Sequence, residues 1–349
     1  MRNRIVTEDL EDIAGGPLPY QELEGKTVLV SGANGFLPSY MVETLLYLNE
    51  IAHKAAVQII ALVRNKEKAE TRFAEYRNRK DLKLVVHDVC DPITIDGPVD
   101  TVIHAASQAS PKYFGSDPVG TLSANILGTR HLLELALAKN SGRFLFFSSA
   151  EIYGQLDPDQ IPATEFTTGR VDPMDVRSCY AESKRMGETM CVSWLQQYGV
   201  PVRIVRPFHT YGPGMALDDG RVFSDLVAAV VQERDIVLQS DGSALRAYCY
   251  LSDAVRGFFS VLFHGEAGSV YNVGNKRAEI SVRDLADTLV MLFPERNCKV
   301  VRTVRGHPPG YLPSRIQRIA PDTAKLEAIG WQPRYGIEKG FKRTILSFL

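Results

Sequence analysis

Residues 26–40 read Lys26-Thr-Val-Leu-Val-Ser-Gly-Ala-Asn-Gly-Phe-Leu-Pro-Ser-Tyr40, an apolar run followed by a glycine-containing turn. The run is typical of a short buried strand, and a helix is expected to follow at 41–49. Gly32 and Gly35 let the backbone turn tightly and approach a pyrophosphate, whose charge is favoured at a helix N-terminus. Pro38 replaces a third glycine, and proline is tolerated in a first helical turn. The stretch therefore predicts a dinucleotide-binding turn.

Apolar segments alternate with helical segments along the rest of the first half. Strands that alternate with helices indicate a parallel sheet with helices on both faces. The predicted fold class is α/β: a Rossmann-type doubly wound parallel sheet with a smaller C-terminal α/β substrate-binding domain. We predict an N-terminal extension at 1–24, a Rossmann domain at 25–205 with a contribution from about 245–265, and a substrate-binding domain at 206–349. The strands are predicted at 57–63, 82–87, 101–107, 144–147 and 201–206, with a helix at 118–137.

The ends of the second, third and fourth strands are candidates for contact with the dinucleotide. An acidic residue after the second strand would bond the ribose 2′-hydroxyl of NAD, whereas an arginine could meet a 2′-phosphate. Arg64 stands there, which leaves NADP open, and a solvated surface arginine is the alternative. Asp88 and Val89 could lie against the edge of the adenine ring. The small residues Ala105–Ser107 leave room for the cofactor.

The stretch Arg177-Ser-Cys-Tyr-Ala-Glu-Ser-Lys-Arg-Met-Gly-Glu188 carries the candidate chemistry. Tyr180 and Lys184 are four residues apart, so a helix places them on one face. An ammonium near a phenol favours the phenolate and lowers the tyrosine pKa, which would make Tyr180 a general base. The same spacing also occurs as an ordinary pair on a helix surface.

Two further candidates follow the strand at 144–147, because strand carboxyl ends are where such sheets place ligands. Ser149 can donate a hydrogen bond to a hydroxyl or carbonyl oxygen beside Tyr180, or it can cap the strand end. Glu151 can act as an acid or base on a substrate, or it can be a surface charge. Further along, Arg221 and Arg246 could bind a diphosphate, and a surface role is the alternative for each.

Composition excludes several classes of protein. The formal net charge is −1, and no basic block suggests nucleic acid. The five cysteines show no paired spacing, and the seven histidines lack ligand spacing, so we predict a reduced cytoplasmic protein with no metal site. No run approaches 18 apolar residues, and no export signal is visible, so no membrane partner is expected.

Five motifs in this order resemble the extended short-chain dehydrogenase/reductase family of NAD-dependent nucleotide-sugar epimerases, dehydratases and decarboxylases. The resemblance covers nearly the whole chain from about residue 25, and it is closest to UDP-glucuronate decarboxylases. The motifs are Gly32-x-x-Gly35, His104-Ala-Ala-Ser107, Ser149 before Tyr153-Gly154, Tyr180-x-x-x-Lys184 and Arg206-Pro-Phe-His-Thr-Tyr-Gly-Pro213. The decarboxylase likeness lies in Ala105–Pro111, Arg177–Tyr180, Asp219–Val222 and Leu245–Asp253.

The resemblance implies a role for each site residue. Tyr180 would be the base, with Lys184 lowering its pKa, Ser149 orienting the sugar 4-hydroxyl, and Glu151 and Arg246 serving the chemistry at C5 and C6. The implied cofactor is NAD, held by Gly32, Asn34, Gly35, Phe36, Leu37, Arg64, Asp88, Val89, Ala105, Ala106, Ser107, Asn125, Tyr180, Lys184 and Pro207. The implied contacts with a nucleotide-diphosphate sugar are Ser107, Ser149, Ala150, Glu151, His209, Arg221, Arg246 and Arg318.

Two positions depart from the decarboxylase pattern. Ala150 stands where the dehydratases carry an acid and epimerases tend to have a small residue, and His209 stands where the family usually has asparagine. The predicted reaction is decarboxylation of a nucleotide-linked uronate in the synthesis of cell-surface polysaccharide precursors. The alternatives are a nucleotide-sugar 4-epimerase, a 4,6-dehydratase or a C4 oxidoreductase and, in another class, a non-catalytic dinucleotide-sensing Rossmann protein.

The resemblance also implies a homodimer, in which the helix at 118–137 and the helix that carries Tyr180 pair with their copies. Plain core packing of the apolar residues on these helices is the alternative. The apolar surface would come from Leu132, Leu133, Leu135, Leu137, Met186, Met190 and Trp194.

Overall fold

The computed structural model describes residues 3–51, 56–302 and 316–349. Its largest element is a seven-stranded sheet in the order β10-β6-β5-β4-β1-β2-β3, and every pair in it is parallel. The strand order reverses between β1 and β4, so the crevice outside their carboxyl ends is the expected ligand site. The strands are β1 Thr27–Ser31, β2 Gln58–Val63, β3 Leu82–Val86, β4 Thr101–His104, β5 Arg143–Phe147, β6 Val202–Pro207 and β10 Val270–Val273.

Helices cover both faces of this sheet. Alternate residues of a strand point to opposite faces, so Val28 and Val30 join one core while Leu29 joins the other. The first core includes α2 and α8, and the second includes α5 and α6. The observed sheet confirms the predicted Rossmann-type α/β class. The helices are α1 Arg4–Ala14, α2 Phe36–Ile51, α3 Lys66–Arg72, α4 Lys112–Ser116, α5 Pro118–Ala138, α6 Ser178–Tyr198 and α8 Leu251–His264.

Two predicted boundaries near the site were wrong. Helix α2 begins at Phe36 rather than at 41, so Pro38 lies in its first turn, where an N–H group has no intrahelical partner. Strand β4 ends at His104, and Ala105–Ser107 form a loop.

The C-terminal part builds a second layer around its own apolar core. Strands β7, β9, β11 and β13 form one small sheet, and β8 pairs with β12. However, α8 packs on the large sheet and β10 is one of its strands. Strand β10 lies beyond the 245–265 segment that was expected to contribute to the Rossmann domain. The domain limits stay a prediction. The elements are β7 His209–Tyr211, α7 Val222–Val231, β8 Ile236–Leu238, β9 Leu245–Tyr250, β11 Glu279–Ser281, α9 Val282–Leu292, β12 Val300–Arg302, β13 Arg318–Ile319, α10 Ala324–Glu327 and α11 Ile337–Leu346.

The N-terminal segment is packed into the structure through α1. Leu10 and Ile13 are fully buried, and the buried carboxylate of Asp9 accepts hydrogen bonds from the hydroxyl of Tyr250 and the guanidinium of Arg343, both at 2.7 Å. Helix α1 thus packs against the core beside the large sheet and is bonded to α11 through Arg343. No helix within the described ranges is long and apolar enough to cross a membrane.

The apolar residues expected at a dimer surface divide into three groups. Leu132, Leu133 and Leu135 are buried in the core beneath α5, so the expectation that they supply a surface was wrong. Met190 and Trp194 are partly buried and pack against the same core. Leu137 and Met186 are exposed.

Candidate active site

A cleft of about 850 Å³ lies at the carboxyl ends of the parallel strands and extends under the C-terminal part. Most of the residues proposed from the sequence line it. Asn125 and Arg318 are absent from its lining. Those that line it are Gly32, Asn34, Gly35, Phe36, Leu37, Arg64, Asp88, Val89, Ala105, Ala106, Ser107, Ser149, Ala150, Glu151, Tyr180, Lys184, Pro207, His209, Arg221 and Arg246.

The glycine turn packs directly on the loop after β4. Gly32 has a φ of +64°, and a Cβ added there would lie 2.7 Å from the Cα of Ala106. Any other residue would therefore be both strained and in collision. The Gly35 N–H donates to the Gly32 carbonyl at 2.8 Å, which closes the turn before α2.

A buried polar relay, which sequence reasoning missed, holds that loop in place. The Ser31 hydroxyl hydrogen bonds with His104 Nδ1 at 2.8 Å and accepts from the N–H groups of Ala105 and Ala106, both at 3.2 Å. His104 Nε2 lies 3.0 Å from Thr129 Oγ1. Burial, and then the charge of Lys184, hold the pKa of His104 well below its usual range, so the ring is neutral. The first-strand serine and the His-Ala-Ala-Ser motif are the signals that could have revealed this relay.

Tyr180 and Lys184 point from the first two turns of α6 into the cleft. The Tyr180 ring stacks on Phe114 at 5.0 Å between centroids, and its hydroxyl hydrogen bonds with Ser149. Lys184 Nζ donates to the Phe147 carbonyl at 2.7 Å and lies 5.9 Å from the centre of the Tyr180 ring. The structure therefore brings together the three residues that the sequence proposed as a catalytic set.

The charged groups that act on the pKa of Tyr180 in this structure are Arg221 and Glu151, and the role predicted for Lys184 stays a prediction. Burial raises the pKa of Tyr180, and the Ser149 hydrogen bond and the charge of Arg221 offset only part of that effect. Burial also lowers the pKa of Lys184, to about 7, so the ammonium is itself destabilised. A positive charge near the Tyr180 hydroxyl would act against the effect of burial and favour the phenolate.

Ser149, Ala150 and Glu151 lie at the end of β5, where a short helical turn at Ala150–Tyr153 begins. The Ser149 hydroxyl accepts from the Glu151 N–H at 3.1 Å, so this serine caps the turn and also contacts Tyr180. Ala150 is buried in the cleft wall. Its small side chain leaves the wall without an acid at this position.

Arg177 is a site residue to which the sequence analysis assigned no role. Its Nη2 lies 3.6 Å from Oε2 of Glu151, and its guanidinium lies 5.4 Å from the centre of the Phe114 ring. Both members of the ion pair line the cleft, and the Arg177 side chain is 15% exposed. The pair orients the Glu151 carboxylate in the cleft beside Ser149. Its position immediately before Ser-Cys-Tyr180 was the available signal.

The arginines of the opposite wall are held by backbone carbonyls. Arg221 donates to the Ala109 carbonyl at 2.6 Å and pairs with Asp219. Arg246 donates to the carbonyls of Ile316 at 2.7 Å and Gln317 at 3.0 Å. Two guanidinium groups thus face the part of the cleft under the C-terminal layer, which suits a diphosphate.

His209 lines the same wall and has an unsatisfied nitrogen. Its ring packs edge-on against Phe223 and Tyr248, and its Nδ1 is buried with no hydrogen-bond partner in the described part of the chain. Burial, followed by the charges of Arg246 and Arg221, holds the pKa of His209 well below its usual range. A neutral imidazole is therefore available to a bound ligand.

Two of the proposed contact residues do not line the cleft. Arg318 donates to both carboxylate oxygens of Glu279, at 2.7 and 2.9 Å, on the outside of the small sheet. Asn125 is fully buried between α5 and α6, where its amide donates to the Ser183 hydroxyl at 2.9 Å. Asn125 thus supports the helix that carries Tyr180 and does not line the cleft.

The cleft suits a nicotinamide dinucleotide. The hydroxyls of Ser107 and Ser148 line it, and both are buried without a hydrogen-bond partner among the described residues. Buried hydroxyls are normally satisfied, so a ligand with polar groups is the natural partner for them. The glycine turn provides close backbone approach at one end, and Lys184 provides a donor at the other.

The fold and the cleft define a Rossmann-type protein that binds a dinucleotide at the switch point of its sheet. Residues 28–274 match the NAD dependent epimerase/dehydratase family, and the chain belongs to that family. It is therefore an enzyme of a family that uses NAD, and the resemblance to the extended short-chain dehydrogenase/reductase family is confirmed. The alternative of a non-catalytic dinucleotide sensor is set aside.

Proteins similar to this chain include several sugar-nucleotide enzymes. UDP-glucuronic acid decarboxylase 6 of Arabidopsis thaliana is 34% identical over 316 residues, which cover 90% of this chain and 86% of the plant protein. The structure of UDP-glucose 4-epimerase from Thermotoga maritima with UDP-glucose matches with a TM-score of 0.78 at 21% identity, covering 92% of this chain and 98% of the other. UDP-glucose 4-epimerase from Thermus thermophilus, in complex with NAD, matches with a TM-score of 0.74 at 25% identity over the same shares.

Burial of Lys184 predicts a specific pH dependence of stability. The unfolded chain holds the lysine proton up to about pH 10.4, whereas the folded chain releases it near a pKa of about 7. The unfolded state thus binds more protons above pH 7, so Lys184 makes the free energy of unfolding rise with pH, by up to about 1.4 kcal/mol per pH unit. Urea unfolding between about pH 7 and pH 8.5 should show a smaller rise for Lys184→Met than for the wild type.

Lys139 supplies the control for that comparison. It also donates to a backbone carbonyl, that of Gly97 at 2.9 Å, but it lies in an exposed setting. Lys139→Met should keep the wild-type slope. An unchanged slope in Lys184→Met would contradict the burial argument.

Proposed function

We propose that this enzyme decarboxylates a nucleotide-linked uronate of the UDP-glucuronate type through a transient 4-keto sugar. The observation that carries the proposal is the Arg177–Glu151 pair, which adds a fixed carboxylate and a guanidinium beside the hydroxyls of Ser149 and Tyr180. The name of the plant relative, a UDP-glucuronic acid decarboxylase, supports the same reaction.

The residues of the cleft suit the proton movements of that reaction. The glycine turn and Lys184 would hold the dinucleotide, which would supply hydride transfer at C4 of the sugar and a positive charge that would favour a phenolate at Tyr180. Tyr180 takes the proton of the C4 hydroxyl, which Ser149 orients by a hydrogen bond. Lys184 stays anchored to the Phe147 carbonyl beside the Tyr180 ring.

The chemistry of the sugar explains the need for Glu151. A ketone at C4 stands β to the C6 carboxylate, so carbon dioxide leaves with its bonding electrons delocalised into the carbonyl. The resulting enolate takes a proton at C5. Glu151 and Arg246 are the groups that we assign to this stage, with Arg177 positioning Glu151. Arg221 and Arg246 hold the diphosphate.

Ala150 favours one second candidate, 4-epimerisation. A small residue in the wall beside Ser149 leaves space for a 4-keto sugar to turn and present its other face. The same residue disfavours a 4,6-dehydratase, because alanine cannot protonate a leaving hydroxyl. A C4 oxidoreductase differs from these enzymes because its reaction consumes the dinucleotide instead of regenerating it.

Incubation with UDP-glucuronate and NAD, followed by mass spectrometry, separates these reactions. Loss of carbon dioxide from the sugar nucleotide is the expected result. An unchanged mass with a new C4 configuration by NMR would favour epimerisation, and stoichiometric reduction of NAD would favour the oxidoreductase. Either result would overturn decarboxylation.

We also propose a cytoplasmic homodimer that acts on sugar nucleotides for polysaccharide synthesis. Apolar side chains on the outer faces of α5 and α6, including Leu127, Leu137, Met186 and Val192, are 41–49% exposed. Pairing of these helices with their copies in a four-helix bundle would cover them. A monomer in sedimentation velocity at micromolar concentration would contradict the dimer.

A further inference from the structure

The carboxyl end of β2 supplies basic side chains to the cleft beside the glycine turn. Ser31 of β1 pairs with Leu62 of β2, and the Ala33 N–H donates to the Leu62 carbonyl at 3.3 Å. Arg64 follows two residues later and lines the cleft, as does Lys68 one helical turn further on. In a Rossmann-type site this is the place of the adenosine ribose.

The hydrogen-bond acceptors usual for that ribose are missing or already used. Residues 61–66 contain no acid. The side-chain oxygen of Asn65 accepts from the Lys68 N–H at 2.8 Å, because it caps α3. Asp88, which follows β3, is the nearby carboxylate, and its Oδ1 accepts from the Cys90 N–H at 2.9 Å.

Arg64, Lys68 and Asp88 are the charged side chains that line the cleft at this end, so two cations face one anion there. Asp117 also interacts with the charge of Arg64 but does not line the cleft. Oδ2 of Asp88 lies 3.9 Å from Nη1 of Arg64, so this carboxylate offsets one cation. Lys68 has no ion-pair partner among the residues that the structure describes, and it adds a second cation. Lys66 lies nearby but pairs with Glu70 at 3.7 Å and does not line the cleft.

We propose that Arg64 and Lys68 form a binding site for a ribose 2′-phosphate, so that this chain binds NADP more tightly than NAD. A carboxylate at the end of β2 would bond the free ribose hydroxyl and repel a phosphate, whereas an arginine fork and an ammonium attract it. The two dinucleotides carry the same nicotinamide, so the hydride chemistry of the family is unchanged. The proposal concerns only the adenosine end of the cleft and does not depend on the sugar substrate.

The competing interpretation is that Arg64 is a solvated surface charge, since 62% of its side chain is exposed. Calorimetric titration of the nucleotide-free full chain with NADP and with NAD, without any sugar nucleotide, decides between the two. We expect NADP to bind about tenfold or more tightly, because a charge-assisted hydrogen bond is worth at least that factor. The advantage should shrink at high salt.

Matched variants assign the effect to the two residues. Arg64→Ala should remove most of the advantage of NADP and leave the affinity for NAD nearly unchanged, and Lys68→Ala should remove part of it. Lys66→Ala should behave as the wild type, because Lys66 does not line the cleft. A titration with adenosine 2′,5′-bisphosphate against ADP repeats the comparison on the wild-type chain and does not require that any variant folds.

Several results would overturn the proposal. One is that NAD binds as tightly as NADP or more tightly. Another is that Arg64→Ala loses affinity for both dinucleotides to the same extent. A third is that the bisphosphate binds no more tightly than ADP. Because no sugar is present, such a failure leaves the decarboxylation proposal standing. Conversely, an absence of carbon dioxide release would not bear on the proposed 2′-phosphate site.

Discussion

Replacement of Tyr180 by phenylalanine is expected to lower turnover of the sugar nucleotide by about 10²–10⁴-fold, the range typical of a lost general base. The substitution removes only the hydroxyl that hydrogen bonds with Ser149. The ring can keep its place against Phe114, where the centroids are 5.0 Å apart. Affinity for the dinucleotide should therefore change little, and calorimetry on the same preparation checks this.

Tyr198→Phe is the control for that experiment. Tyr198 is the last residue of the same helix, it is half-exposed, and its hydroxyl accepts only from Gln197 in the described structure, at 2.9 Å. This variant should turn over at the wild-type rate. Turnover in Tyr180→Phe close to that of Tyr198→Phe would show that another group takes the proton.

The second large effect is expected from Glu151→Gln. We expect release of carbon dioxide to fall by about 10²-fold or more, because glutamine keeps the shape of the side chain but can neither take nor give the proton. The substitution also leaves the guanidinium of Arg177, 3.6 Å away, without this anionic partner. Since Ser149 and Tyr180 remain, oxidation at C4 should continue. A 4-keto uronate and reduced dinucleotide should accumulate, which mass spectrometry and nicotinamide absorbance would detect.

Glu182→Gln is the matched control for the glutamate. Glu182 also pairs with an arginine, Arg185 at 3.3 Å, but it does not line the cleft. It should keep the wild-type rate of decarboxylation. If Glu151→Gln also keeps that rate, Glu151 has no part in the chemistry. If Glu151→Gln loses oxidation at C4 as well as decarboxylation, Glu151 positions the substrate rather than serving the step at C5.

The large sheet and the glycine turn were predictable from the sequence because both depend on local patterns. Apolar runs separated by helical segments lead to parallel strands, and the strand, turn and helix at residues 26–40 specify where a pyrophosphate can bind. The spacing of Tyr180 and Lys184 likewise placed both side chains on one face of α6. These features involve residues that are neighbours in the chain, so their geometry follows from the periodicity of a helix or a strand.

The electrostatic state of the site was decided by tertiary structure alone. The pKa of Tyr180 is raised because the residue is buried, and one of its neighbours is Phe114, from α4, to which no local pattern connects it. In the same way, Arg318 turns outward to Glu279, while Arg177 meets Glu151 from another element. Burial and the distances between charges depend on packing among segments far apart in the chain. The sequence by itself determined most of the residues that reach the cleft, because they follow the ends of strands or share one helix face, and the packing decided which of them are charged, paired or available to a ligand.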